Sequence, residues 1–333
     1  PSGTDPRHAF SPLFSGVGAI TARRVTLTDY PALLGAKALA QSTDSVSEIT
    51  RGHPLSPLRL LSSRGLTVNS YTALWEDNSR PLCFGRVCHA EGDAFSQLDF
   101  VTPTRESSPD DITCLLEAVI RVSGAWGARY LLAELPENSD YLPAFRRADF
   151  VVWSQARVYR FRGDFVAAGA AENLWRQWTD QDVKAMQALH RCAVPRLFQA
   201  VEPVSRKLAQ GLAAADEQGR LLGFADLAYG PNGIWLQPLF DPGADHISLL
   251  QQLVQAVPNR MGRPVYVCAR SFQPQLFDAL ESLAFSMEQE LARMVRHLTL
   301  QDKVPAPGRQ QVYEGEKSEG SVPVIQSQQK GVR

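Results

Sequence analysis

At 333 residues the chain is long enough for two ordinary domains, and a composition 44% apolar and 21% charged is that of a globular protein with sizeable cores. A net charge of −1, with acids and bases interspersed, excludes the basic stripe of an electrostatic nucleic-acid binder, and no apolar run is long enough to span a bilayer. The five cysteines are odd in number, scattered and set in apolar patterns; they read as reduced core thiols and point to the cytoplasm.

Residues 1–21, rich in Pro, Gly and Ser and without periodicity, are predicted to be a flexible leader. The stretch 22–30 reads as a strand running into a helix that carries Leu33, Leu34 and Leu39, with Thr28 or Asp29 as N-cap and Pro31 in its first turn. The Pro-broken stretch 51–65 predicts one short helix over 58–62. Three strand-like segments follow at 67–75, 81–89 and 96–101, joined by turns at 76–80 and 91–93. A helix over 110–124 sets Ile112, Leu115, Leu116, Val119 and Ile120 on one face. A buried strand at 131–135, a short helix with Leu142 and Phe145, and a closing strand at 151–161 complete this first unit.

The second half repeats the order. A strand-to-helix entry spans 175–192, with Thr179-Asp180 answering Thr28-Asp29, and a hairpin spans 216–227. A strand at 233–237, a helix at 246–257, a strand at 265–269, a short helix and a closing strand at 288–298 follow. The two halves share a fixed offset of 135: Pro103 maps on Pro238, Gly127 on Gly262, Ala144 on Ala279 and Phe150 on Phe285. Four landmarks in one register over nearly fifty residues identify an internal duplication. The predicted organisation is a first domain at 22–162, a linker at 163–172, a second domain at 173–300, and a polar, aperiodic tail at 301–333 expected to be disordered.

The spacing N-x-x-A-x-x-x-Y-x-x-x-G-F resembles the GNAT superfamily of CoA-dependent N-acetyltransferases. Asn138, Tyr141, Phe145, Asp149 and Phe150 stand at its places in the first half, and Gln273, Leu276, Leu280, Ala284 and Phe285 in the second. The resemblance covers nearly all of 22–161 and 175–298. It implies an α/β (α+β) protein of two tandem GNAT-like units, each a mixed, mostly antiparallel twisted sheet flanked by helices, with a cleft where the fourth and fifth strands splay. It also implies acyl transfer from acetyl-CoA or another acyl-CoA to a small-molecule or peptide amine, without a metal.

Two departures bear on that activity. The family's loop after the fourth strand is glycine-rich, so that backbone amides at a helix N-terminus can approach the pyrophosphate. Here the first loop, PTRESSPDD, has no glycine and offers only Arg105 to a phosphate; the second, PLFDPGADH, offers Gly243, Ala244 and His246, with Asp241 and Asp245 opposing. The family's general-acid tyrosine is replaced by Phe145 and Leu280, neither of which carries a proton to donate. Tyr141, one turn earlier, is the remaining candidate acid, and Glu134, at the end of a central strand, the candidate base; the first reading of Tyr141 is an aromatic packing on the short helix, and of Glu134 a solvated strand end. Cys83 and Cys88 are read as core cysteines, His190 as a satisfied histidine, and Asp226 stands out as an acid inside an apolar strand. The two functions this leaves are a GNAT-family N-acyltransferase and a catalytically silent tandem GNAT-fold protein serving as a ligand-binding or interaction module.

Overall fold

The computed structural model describes residues 20–56, 59, 68–163, 174–204, 210–283 and 285–298. The predicted leader (up to residue 19), the helix predicted over 58–62 (apart from Arg59), most of the linker and the tail lie outside these residues.

In the first unit, β1 (Ile20–Arg24) leads through a 3-10 turn, Leu27–Asp29, into α1 (Tyr30–Gly35). After β2 (Gln41–Ser42) and α2 (Ser45–Arg51) come the meander strands β3 (Val68–Asp77), β4 (Arg80–Ala90) and β5 (Phe95–Pro103). Asn78 and Ser79, both at positive φ, close β3 on β4 as a two-residue hairpin whose twist matches that of its strands. Next is α3 (Pro109–Ala125), capped reciprocally by Ser108 and Asp111; it lays Leu115, Leu116 and Val119 on the meander. Then come β6 (Tyr130–Pro136), α4 (Leu142–Arg147) and β7 (Val151–Phe161).

The second unit follows the same plan, with β8 (Trp175–Gln177), α5 (Val183–Ala193), β9 (Gln210–Ala215), β10 (Leu221–Tyr229) and β11 (Ile234–Phe240). It continues with α6 (His246–Ala256), β12 (Val265–Arg270), α7 (Pro274–Ser282) and β13 (Phe285–His297). Gly127 and Gly262, at φ 87 and 73, make the same left-handed turn ahead of β6 and β12. At the first entry Asp29, one of the two expected residues, is the N-cap of α1, with Pro31 in its first turn; Thr26 opens the 3-10 turn ahead of it, its amide donating to Asp29 Oδ2 at 2.7 Å. Its counterpart is Thr179 with Asp182, at 2.8 Å, rather than Thr179-Asp180. A carboxylate three residues after the cap satisfies the free amide and also meets the arginine three residues before it, Arg23 or Arg176.

The strands join in one sheet, ordered β1-β3-β4-β5-β6-β13-β7-β12-β11-β10-β9-β8, with β2 paired to β5. That order reads the same from both ends, unit for unit, about a centre between β13 and β7. Each unit's fifth strand is therefore flanked by the other unit's closing strand: β13 pairs with β6, and β7 pairs with β12. The expectation that each closing strand simply completes its own unit is corrected here. Phe150 stands just ahead of β7 and its equivalent Phe285 opens β13, so the local sequence does not say which fifth strand each closing strand will join. Pairing β7 with β13 along nearly their whole length, Phe285↔Phe161 to Val295↔Val151, joins both sheets without leaving an open edge between them. α2 crosses as well: Val46 and Ile49 pack with Trp235 of β11, and Gly230 lets the Thr50 carbonyl approach to where a Cβ would sit 2.0 Å away.

Candidate functional site

In each unit the parallel ladder between fourth and fifth strands lasts three pairs. Phe95–Gln97 lie against Tyr130–Leu132, and Ile234–Leu236 against Val265–Val267. Beyond these pairs the ladders stop, which gives each unit the splay expected of it. What lies in the two splays differs.

In the first, the chain fills the gap with its own backbone. Gln41 and Ser42 pair with Val101 and Phe100 of β5. The Thr43 amide donates to the Asp99 carbonyl at 3.1 Å, and the Thr43 carbonyl accepts from the Glu134 amide of β6 at 3.0 Å. Gln97 Nε2 reaches the same carbonyl at 2.9 Å. Residues 41–43 thus stitch β5 to β6. Beside them Arg59 and Asp99, both buried, pair at 2.6 Å, and Arg59 also reaches Ser42 Oγ at 3.3 Å.

The candidate residues of this unit are engaged in the same closure. The Tyr141 hydroxyl donates to the Leu39 carbonyl at 2.8 Å, just ahead of β2, and burial raises its pKa above the usual phenol value. Glu134 is buried; its carboxylate accepts from the Ser45 amide and hydroxyl, at the start of α2, and its other oxygen lies 3.3 Å from Arg293 Nε. Arg105 is exposed on the loop after β5, where the Thr104 amide is held by Ser107 Oγ and the Ser108 amide by Asp111.

In the second splay the filling is made of side chains. Arg270, one residue past the end of the predicted strand, donates to the Pro238 carbonyl at 2.7 Å, and Gln273 donates to it at 3.0 Å. Arg270 Nε is held in turn by Gln273 Oε1 at 2.8 Å. Glu202, from the segment after α5, accepts from Arg270 at 3.3 Å, from Gln237 of β11 at 3.2 Å and from Arg293 of β13 at 2.7 Å. All of these residues are buried. His190 Nε2 meets the Glu202 carbonyl at 3.0 Å, and burial holds its pKa below the ordinary imidazole value.

The loop after β11 is also self-satisfied. Gly243 N donates to Asp241 Oδ1 at 2.8 Å and Ala244 N to the Asp241 carbonyl at 3.0 Å. Asp245 caps α6, accepting from Ile247 N and Ser248 N. His246 Nε2 donates to the Asp241 carbonyl at 3.1 Å, and burial lowers its pKa, so near neutral pH it is an uncharged imidazole rather than the cation the sequence offered to a phosphate. A pyrophosphate would have to compete with two carboxylates for these amides and would be repelled by both, by about 1 kcal/mol for unit charges about 4 Å apart in water and more where solvent is excluded. In both loops several backbone amides are already held by the chain's own oxygens.

The sequence candidates are thus dispersed: Tyr141 and Glu134 close the first splay, Gly243, Ala244 and His246 form the second loop, and Arg105 lies on the first. Arg270, Arg293, Gln237 and Glu202 were missed. The two arginines carry one visible signal, a charge inside an apolar strand, VYVCAR and LARMV, the same signal that singled out Asp226, which is buried in β10. Among the described residues no group of His, Cys, Asp and Glu is placed to hold a metal ion.

No family model and no curated protein matches the sequence. Solved structures do match in fold. A GCN5-related N-acetyltransferase from Sphaerobacter thermophilus is similar at TM-score 0.52 and 13% identity, over 83% of this chain and 95% of its own. A protein from Pyrococcus horikoshii described as an acetyltransferase is similar at TM-score 0.50 and 14% identity, over 89% and 96%. A tandem GNAT protein from the clavulanic acid biosynthesis pathway stands at TM-score 0.48 and 13% identity, over 85% and 100%. At such identities the likeness to the first two speaks for fold alone; with the mirrored strand order and the paired splays, the chain is a tandem of two GNAT-fold units.

Proposed function

We propose that this chain is a catalytically silent tandem GNAT-fold protein whose clefts serve binding or assembly rather than acyl transfer from an acyl-CoA. The observation that carries the reading is the run of residues 41–43 through the first splay, bonded to both of its strands. Backbone in that gap cannot be displaced without breaking several buried hydrogen bonds, each costing about 1–3 kcal/mol to leave unmade. The capped loop amides and the Arg270–Glu202 contact support the same reading for the second cleft. No helix among the described residues is long and apolar enough to cross a membrane. The test is a thermal-shift titration with acetyl-CoA. A ligand at a hundred times its Kd stabilises by about 2.7 kcal/mol, so an unchanged melting temperature up to millimolar acetyl-CoA is expected. A saturable rise overturns the proposal.

The second reading, acyl transfer to a small-molecule or peptide amine, is favoured by one feature of the second unit. Gly243 leaves room for close approach, the nearest atom to a Cβ there being Asp241 Oδ1 at 3.4 Å, and among the described residues side chains cross its splay. On that reading Gly243→Val weakens acetyl-CoA binding and Arg105→Ala leaves it unchanged; the reverse pattern moves the site to the first unit.

A further inference from the structure

We infer that Arg293 couples the closures of the two splays, so that loosening the filling of either one loosens the other. The coupling is a property of the fold and stands whether or not either cleft binds acyl-CoA.

A run of buried polar contacts joins the two fillings. On the first side the Thr43 carbonyl accepts from the Glu134 amide at 3.0 Å, and the Glu134 carboxylate accepts from the Ser45 amide and hydroxyl at the start of α2. On the second, Glu202 Oε1 accepts from Arg270 Nη1 at 3.3 Å and from Gln237 Nε2 at 3.2 Å, and Arg270 Nη2 donates to the Pro238 carbonyl at 2.7 Å. Arg293 stands between them: its Nε lies 3.3 Å from Glu134 Oε1, and its Nη1 donates to Glu202 Oε2 at 2.7 Å. Ser45, Glu134, Arg293, Glu202 and Arg270 are all buried.

The exchange of closing strands puts the arginine there. Arg293 belongs to the second half, yet it lies directly opposite Glu134 of β6. Its guanidinium is one rigid plane that cannot follow one carboxylate without changing its distance to the other. The Trp153 ring, with its centroid 4.6 Å away, bounds one face of that plane. Each carboxylate also keeps contacts on its own side, so a displacement of either filling reaches Arg293 through a charged group in an interior where such contacts are stronger than in water. The matching place across the centre of the sheet is apolar. By the offset of 135 the pair Arg293↔Ser154 corresponds to Val158↔Gln289, and Val158 packs with Trp235 and Leu291.

The test is native-state hydrogen exchange on the full chain, where two amides report on the two fillings. The Glu134 amide donates to the Thr43 carbonyl, and the Arg270 amide donates to Gln273 Oε1 at 3.0 Å. Arg270→Met cuts the second filling and is expected to quicken exchange at the Glu134 amide by about five-fold or more, the low end of coupling between two sites. The rate is taken relative to the Leu116 amide in the α3 core of the same unit, so that a general loss of stability cancels. In an Arg293→Met background the same substitution should leave that ratio unchanged. A smaller change in the parent, or a change that persists without Arg293, overturns the inference. Should Arg293→Met not fold, the reciprocal measurement decides, because coupling between two sites acts equally in both directions. Ser45→Ala, which takes a hydroxyl from Glu134, should then quicken the Arg270 amide by a similar factor relative to Leu253 of α6, and a smaller change overturns the inference.

Discussion

The two splays have the same geometry and opposite fillings. In the first unit a strand of backbone, residues 41–43, bridges β5 and β6. In the second the corresponding opening is crossed by Arg270, Gln273 and Glu202. Backbone that hydrogen-bonds both walls turns a cleft into continuous sheet, and the opening is gone. Side chains that cross it leave the two strands unbonded to each other beyond their three ladder pairs. The shared closing strands make each unit dependent on the other.

The largest effect is expected where the units interlock. Arg293 comes from the second half yet lies beside β6 of the first, fully enclosed and flanked by Glu134 and Glu202. Arg293→Ala leaves two buried carboxylates without their shared cation and should cost about 3–5 kcal/mol, read as a lower urea midpoint at pH 7. A loss under about 1 kcal/mol would show that the cluster is wet and weakly coupled, against the burial seen here.

A second substitution separates backbone filling from side-chain filling. Thr43→Pro removes the N–H that donates to the Asp99 carbonyl and should cost about 1 kcal/mol, the net worth of one buried hydrogen bond. Hydrogen exchange at the Glu134 amide, which donates to Thr43, should quicken in the same variant; unchanged exchange would mean that 41–43 is not what holds β6.

Much of this comparison was legible in the sequence. The constant offset, the prolines near the ends of β5 and β11, and the glycines before β6 and β12 all mark local backbone requirements, and local requirements repeat when a unit is duplicated. The exchange of closing strands was not legible, because β7 and β13 carry interchangeable patterns and pairing choice is a tertiary matter. Nor was the cluster: Glu202 lies 68 residues from Arg270 and 91 from Arg293, so no spacing announces it. A two-residue strand such as β2 is too short for any periodicity to show. The glycine equivalence itself can be tested. Gly127→Ala and Gly262→Ala each force a Cβ into left-handed backbone with nothing within 4 Å to relieve or worsen it. Both should cost roughly 1 kcal/mol, and a difference larger than about 0.5 kcal/mol would show that the turns are not energetic equivalents.

The smallest expected difference concerns the entry caps, where the halves are most alike. The hydrogen bonds from Arg176 hold the Asp182 carboxyl down at about 2, against the opposing effect of burial, with the Thr179 amide helping. Arg23, and then the Thr26 amide, hold Asp29 lower still, and the same guanidinium also grips Glu76. A carboxyl whose folded pKa lies below its unfolded value of about 3.9 stabilises the fold fully above that value. That contribution fades as pH falls from about 5 through the folded pKa. Because the Arg176 side chain is 53% exposed, the Asp182 contribution is expected to be no more than about 1 kcal/mol. Asp182→Asn should therefore lower the urea midpoint slightly at pH 7 and flatten the decline between pH 5 and 2. Asp29→Asn should do both more strongly, since its arginine is less exposed, at 38%, and serves two carboxylates. If Asp182→Asn flattens the acid limb more than Asp29→Asn, the second cap is the tighter one, and the view of the first unit as the more firmly closed half fails at its entry.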